Sequence, residues 1–493
     1  MRIGISLTSA YAVKDAREGA QCMIGRARAA REAGLDSLFV GDHHATPVPY
    51  YQNSAILGRL LAEWGDAAYG ALYLLPLWHP VLLAEQVGTL ASIAPGRFIL
   101  QCALGPADAM RASHPQAEVV DHGEGLILPG FVDAHAHYPQ TGMIASWGKR
   151  LIDWLNHYTF PEEMRFADPA YARDVAARYL DLLLAHGTTS VCSYCTIHPA
   201  SVDALFEAAE ARGMRVFAGR TCMDRDTAPE GLRDTAQSAY DESLALLRRW
   251  HGTGRASYVI TPRFSPTSTV AQLEALGALW AEHPDCLMQT HLSEQTDEIA
   301  WVKSLYPSAR DYLDTYEAHG LLGAGGLYGH AIHLEPRERD RLREVGAALV
   351  HCPTSNTFIG SGLFDMDGLT KEGQVIGLAT DTGGGSSFSM LRTMAAAYEI
   401  AQLRHRPLHA SELLWLATQG SARALRCDDR IGNLAPGMEA DFVVLDLAST
   451  PAIAQRVAQA ETIWEAVFPT IMMGDDRAVA STWVAGRKAA PLG

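Results

Sequence analysis

The sequence predicts an α/β protein built mainly on a (β/α)8 TIM barrel, with an extra N-terminal β/α segment. Three observations predict it. Eight apolar, β-rich runs recur between residues 130 and 380, separated by segments long enough for helices. Histidines or an aspartate close several of these runs, at the strand ends where a parallel barrel builds its active site. The pattern changes on both sides of that region, to strand-helix units before it and antiparallel-looking strands after it.

The elements follow in order. Arg2–Leu7, Ser37–Gly41, Leu72–Leu75 and Arg97–Ala103 read as short strands. An Ala/Arg-rich helix ending near Gly34 and a second from Pro80 to about Ile93 lie between them, which implies parallel β/α units. The barrel runs are Gly130–His135, Thr189–Tyr194, Arg215–Ala218, Ser257–Pro262, Cys286–His291, Gly326–His330, Ala347–Cys352 and Val375–Thr380. Gly437–Leu447 and Ala478–Arg487 read as antiparallel strands outside the barrel.

Bulk properties narrow the function classes. A chain of 493 residues with 48 % hydrophobic and 19 % charged residues can bury a large core. The formal charge of −16 repels phosphate backbones, so neither nucleic acid nor an anionic membrane is expected as a partner, while a small neutral base is not excluded. The eight cysteines lie mostly in apolar stretches and do not form a disulfide framework, which fits a reducing compartment. The N-terminus lacks the basic start and long apolar run of a signal peptide. The longest apolar stretch, Ala67–Ala84, is broken by Pro76, His79 and Pro80 and reads as strand, loop and helix rather than a membrane span. A cytoplasmic location is expected.

The chemistry concentrates at strand ends. His135 and His137 are two apart on a strand, so both imidazoles reach one face. His291 ends the fifth run with Glu294 three residues beyond it, His330 ends the sixth, and Asp381 follows the eighth. Neutral imidazoles with one carboxylate suit Zn2+ and leave a position for water, whose pKa the ion lowers toward neutrality. Other features read more plainly. Cys192 and Cys195 have CxxC spacing without a second pair, Gly383–Gly385 reads as a flexible βα loop, and His43-His44 as a polar loop end. Trp147, Trp154 and Tyr158 fit a lid over the site or core packing equally.

The order His-x-His, His, His, Asp over residues 130–381 resembles the amidohydrolase superfamily. The fourth strand ends in Thr261-Pro262-Arg263-Phe264, without the lysine that bridges two metals in binuclear members. The resemblance therefore implies one zinc per chain. PGFVDAHAHYPQ (129–140), DWLNHYTFPEE (153–163), TPRFSPTS (261–268), QTHLSE (289–294), HCPTSN (351–356), GSGLFDM (360–366) and SFSMLRT (387–393) resemble the guanine deaminase family, over about residues 104–486. The resemblance implies His135, His137, His291 and Asp381 as metal ligands and Glu294, His330 and Asp381 as the catalytic groups, with Glu294 moving protons. It implies Gln140 and Arg263 as readers of a purine's polar edge, and Phe264 packed on its ring. Guanine would give xanthine and ammonia in purine catabolism. An arginine donating to O6 would reject adenine. Another aminopurine or a pterin, such as 8-oxoguanine or isoxanthopterin, is the alternative substrate. A homodimer is implied as well.

GLDSLFVGDHH (34–44) and LLPLWHPVLLAEQVGTLASIAPGRFIL (74–100) resemble luciferase-like flavin monooxygenases. Only about four strands of that eightfold barrel are present, leaving open sheet edges and an incomplete flavin site. Flavin-dependent monooxygenation and a non-functional fusion are the readings of another class. The join near residue 105 fits a natural fusion, a recombination product or a sequence-assembly join. The expected organisation is a monooxygenase-like fragment over 1–105, small β-domain strands over 106–128 and 430–493, and the hydrolase barrel over 129–429. Guanine deaminases begin with strands that pair with the C-terminal ones. Here those first strands are missing, so an incomplete β-sandwich is expected, with Pro95–Gly105 as a stand-in strand and Ala103–Pro106 fitting both patterns.

Overall fold

The computed structural model describes residues 3–43, 50–75, 78–103, 116, 118–147 and 150–489. His44 and residues 104–106 of the sequence expectations lie outside the described residues. The chain divides into two compact units, Met1–Asp121 and His122–Gly493.

The first unit is a four-stranded parallel sheet in sequential order, β1 (Gly4–Leu7), β2 (Ser37–Val40), β3 (Ala68–Leu74) and β4 (Phe98–Ala103). Helix α1 (Ala16–Glu32) starts where the Asp15 carboxylate accepts from the Arg17 amide, and turns Met23, Ala27 and Ala30 inward at helical spacing. Helices α2 (Asn53–Trp64) and α3 (Pro80–Ile93) follow β2 and β3. The unit has its own apolar core around Leu38, Val40, Leu57, Leu60, Trp64 and Tyr73. The stand-in strand expected over Pro95–Gly105 is not part of the small β-domain. Its residues 98–103 pair in parallel with β3, from Tyr69 opposite Phe98 to Leu74 opposite Ala103.

The second unit holds the barrel. Its parallel strands run β6 (Phe131–His137), β7 (Thr188–Tyr194), β8 (Arg215–Gly219), β10 (Ala256–Pro262), β11 (Leu287–Leu292), β12 (Gly326–His330), β13 (Ala348–His351) and β14 (Val375–Leu378), with the two-residue β9 (Thr221–Cys222) continuing beside β10. All eight expected runs are therefore strands, within a few residues of their predicted ends. The ring is closed by backbone hydrogen bonds from the Asp381 amide to the His135 carbonyl (2.9 Å) and from the His137 amide to the Thr382 carbonyl (3.2 Å). Val132, Cys192, Phe217, Val259, Leu287, Leu327, Val350 and Ala379 form one buried cluster, a residue from each strand or its end, with Leu425 and Ile431 packed on it. Such layers make the barrel a packed core rather than a pore.

Helices begin where the sequence supplies caps. Asp168 accepts from the Ala170 amide ahead of Pro169–Ala185, and Thr235 and Ser238 form a reciprocal cap for Ala236–Trp250. A separate antiparallel sheet has the order β17 (Arg487–Lys488), β16 (Val479–Val484), β15 (Phe442–Leu445), β5 (Leu126–Pro129). β5 thus pairs with a strand more than 300 residues later, Leu126 opposite Leu445. Among the described residues no helix is long and apolar enough to cross a membrane.

Candidate functional site

The register brings the expected residues to one end of the barrel. His291 on β11 lies opposite Gly329 on β12, and Leu292 opposite His330. Gly329 is needed there, because a Cβ would sit 2.7 Å from the His135 ring. Ser293, His330 and Asp381 all adopt left-handed backbone conformations (φ 48°, 66° and 48°). Such conformations cost energy in non-glycine residues and cluster where a side chain is held for function.

The imidazoles are arranged as ligands. His291 Nδ1 donates to the Arg263 carbonyl (2.7 Å), so its Nε2 carries the lone pair, 3.2 Å from His137 Nε2. Asp381 Oδ1 stands 3.4 Å from His137 Nε2 and 3.5 Å from His135 Nε2, and the latter nitrogen is buried without a hydrogen bond. Burial, and then the neighbouring imidazoles, hold the pKa values of His135, His137 and His291 well below the usual histidine value. These are neutral rings with converging lone pairs beside a carboxylate, and a metal cation satisfies that donor set. His135, His137 and His291 place one ligand atom each within 4.8 Å of one another, as do His135, His330, Cys352 and Asp381. Tyr194 stacks on His137 with centroids 4.4 Å apart and fixes the ring plane.

Three charged groups surround this cluster. Burial pushes the Asp381 carboxyl up to about 6, against the opposing pull of His330. Burial also disfavours the charged form of His330, but Glu294 and Asp381 outweigh it and raise its pKa. His330 Nδ1 is paired with Asn356 Oδ1 (2.9 Å), while Nε2 faces Glu294 Oε2 (3.5 Å) and Asp381 Oδ2 (3.8 Å). Glu294 is buried and accepts from the Ser361 hydroxyl at Oε1 (2.7 Å).

A pocket opens on the cluster. It is lined by His137, His291, Glu294, His330 and Asp381 together with Gln140, Trp154, Arg263, Phe264 and Ile359. The residues that the resemblance implies for the site are thus gathered here, with His135 beside the lining. Trp154 lines the pocket, whereas Trp147 is exposed, so the tryptophans do not act as one lid. Gly383–Gly385, expected as a flexible loop, is a close-packed turn. A Cβ at the three positions would meet Gln140 Oε1 (2.0 Å), the Ser355 hydroxyl (2.8 Å) and the Thr380 carbonyl (1.9 Å). Cys192 and Cys195 are buried and free, and among the described residues neither belongs to a group that could hold a metal ion.

Some groups were not singled out in the sequence. Glu163 accepts from Arg263 and Gln140, Ser361 holds Glu294, Asn356 holds His330, and Asp133 accepts from the Thr380 amide (3.0 Å) and hydroxyl. Each lies inside a motif recognised for its neighbours, and that membership was the available signal.

Residues 126–489 match the model of the Amidohydrolase family, and residues 1–126 that of the Luciferase-like monooxygenase family. The chain is 46 % identical over 369 residues to a guanine deaminase of Escherichia coli K12, covering 75 % of this chain and 84 % of the relative. It is 40 % identical over 380 residues to a probable guanine deaminase of Deinococcus radiodurans, covering 76 % and 86 %. Among solved structures it is similar to the E. coli guanine deaminase (TM-score 0.76, 44 % identity, 78 % of this chain and 89 % of that one). It is also similar to a guanine deaminase from C. acetobutylicum with guanine in its active site (TM-score 0.72, 27 % identity, 77 % and 90 %).

Proposed function

The chain belongs to the amidohydrolase family, and we propose that it hydrolytically deaminates guanine to xanthine and ammonia. The observation that carries the reading is the pocket itself. Converging neutral imidazoles share its lining with a buried arginine and glutamine, in a chain 46 % identical to a guanine deaminase. His135, His137, His291 and Asp381 would hold one Zn2+, a donor set suited to that ion. When bound, the ion would supply a water acidic enough to attack at neutral pH.

The remaining work falls to this chain's own side chains. Arg263 and Gln140 bind the polar edge of the base, the guanidinium donating to a carbonyl oxygen such as O6. Phe264 packs beside the ring. Glu294 takes a proton from the attacking water and passes it to the ring nitrogen as water adds at C2, then carries the proton of the added hydroxyl to the amine, so that the C2–N bond breaks and ammonia leaves. His330, protonated readily and 3.5 Å from Glu294, stabilises charge that develops between them. We assign the reaction to the barrel over residues 129–429 and give residues 1–105 no part in it. We place the enzyme in a reducing cytoplasm, in line with eight free cysteines, and as a homodimer, in line with the family resemblance.

Ammonia released from guanine, adenine, 8-oxoguanine and a pterin, measured beside zinc per chain, tests the reading. Guanine turnover with about one zinc per chain is expected. Turnover of the pterin in place of guanine would move the substrate to that class.

A further inference from the structure

Two of the pocket's lining residues, Gln140 and Arg263, are held by Glu163, on the short helix Phe160–Met164. Its carboxylate is 2 % exposed. Oε2 accepts from Arg263 Nη1 (2.6 Å), and Oε1 accepts from both Arg263 Nη2 (3.1 Å) and Gln140 Nε2 (3.0 Å). One carboxylate therefore grips both residues that face the base. An ionised carboxylate only accepts, so it forces Gln140 to turn its NH2 inward and offer its carbonyl oxygen to a ligand N–H. Gly383 keeps that oxygen uncovered, since a Cβ there would stand 2.0 Å from it. The two-pronged contact also fixes the plane of the guanidinium and cancels its charge inside the protein. Gln140 and Arg263 together then present an acceptor and donors with no net charge.

We propose that Glu163 is a positioning residue that sets substrate charge: it aims Gln140 and Arg263 at a neutral lactam purine and removes the cation that would attract an anionic one. This rests on the guanine reading above. The pattern of an N–H acceptor beside carbonyl donors matches the N–H and C=O pair of a lactam edge, and a neutral wall gains nothing from a deprotonated ring.

The test compares wild type with Glu163→Gln and Glu163→Asp. The readouts are guanine kinetics, zinc content, and inhibition by xanthine at pH values on either side of its ionisation. Glu163→Gln keeps the shape and leaves Arg263 uncompensated. It should raise KM for guanine more than it lowers kcat, with kcat/KM falling up to ~100-fold for the misplaced readers. Inhibition should tighten several-fold only where xanthine is anionic, with zinc retained. Glu163→Asp keeps the charge but shortens the reach, so KM should rise while the discrimination against the anion stays. Unchanged guanine kinetics, or equal losses without any gain in anion binding, would overturn the proposal. If wild type turns over no guanine, the guanine reading fails by itself. The role of Glu163 is then decided by calorimetric titration of neutral and anionic purines into wild type and Glu163→Asp. Anion discrimination kept with weaker neutral binding supports it, and identical binding by both proteins overturns it.

Discussion

At the scale of single residues, the proposed function gives metal holding and proton transfer to different groups, and the two sets should fail differently. Glu294 contributes no ring nitrogen to the cluster and is held by Ser361 instead. Glu294→Gln should therefore cost ~100- to 10,000-fold in kcat, the usual worth of a general acid-base, while zinc content stays at the wild-type level. Metal analysis beside turnover checks both halves, and full activity in that variant removes Glu294 from the mechanism. The ligand-like residues were legible because a strand end gives an imidazole only two faces to choose from. Glu163 was not. Glu162 and Glu163 are adjacent in a five-residue helix that follows the π-helical turn Leu155–Thr159. Glu162 pairs with Arg165 and Tyr171, while Glu163 turns inward to Arg263 and Gln140. No periodicity over so short an element tells which of two neighbouring carboxylates turns inward.

At the scale of elements, the strands read well and their partners less so. Apolar runs of the right length marked all eight barrel strands, yet residues 98–103 satisfy a parallel sheet as readily as an antiparallel one. Nothing in a mostly apolar hexamer names the neighbour it will pair with. Helix starts are more explicit, and the Pro336–Val345 helix illustrates a cost. Its Glu338 accepts from the Glu335 and Leu313 amides while buried, and burial raises its carboxyl to about 7 from a reference near 4.5. The folded state thus keeps a proton that the unfolded chain has released, so this residue's contribution is full below about pH 4.5 and fades as pH rises to about 7. Stability of wild type relative to Glu338→Gln should fall across that window, by a few kcal/mol at most. Denaturant melts at pH 4.5, 6 and 7.5 measure the slope, and a flat difference would place the proton elsewhere.

At the scale of the whole molecule, two compact units with separate cores predict separate melting steps. Calorimetry of the full chain should show two transitions. Stripping the metal with a chelator should lower the one belonging to residues 122–493 and leave the other in place, because a ligand stabilises only what it binds. A single transition that shifts as a whole would show the units to be energetically coupled. The seam that closes the barrel has a consequence during synthesis. Thr380 reaches back 247 positions to Asp133, and the Asp381 amide bonds to the His135 carbonyl beside it. The first two histidines leave the ribosome long before their carboxylate partner has been translated. A nascent chain stalled anywhere upstream of residue 381 carries bare imidazoles on an open sheet. The set of donors is complete only when the last strand clears the exit tunnel and seals the ring.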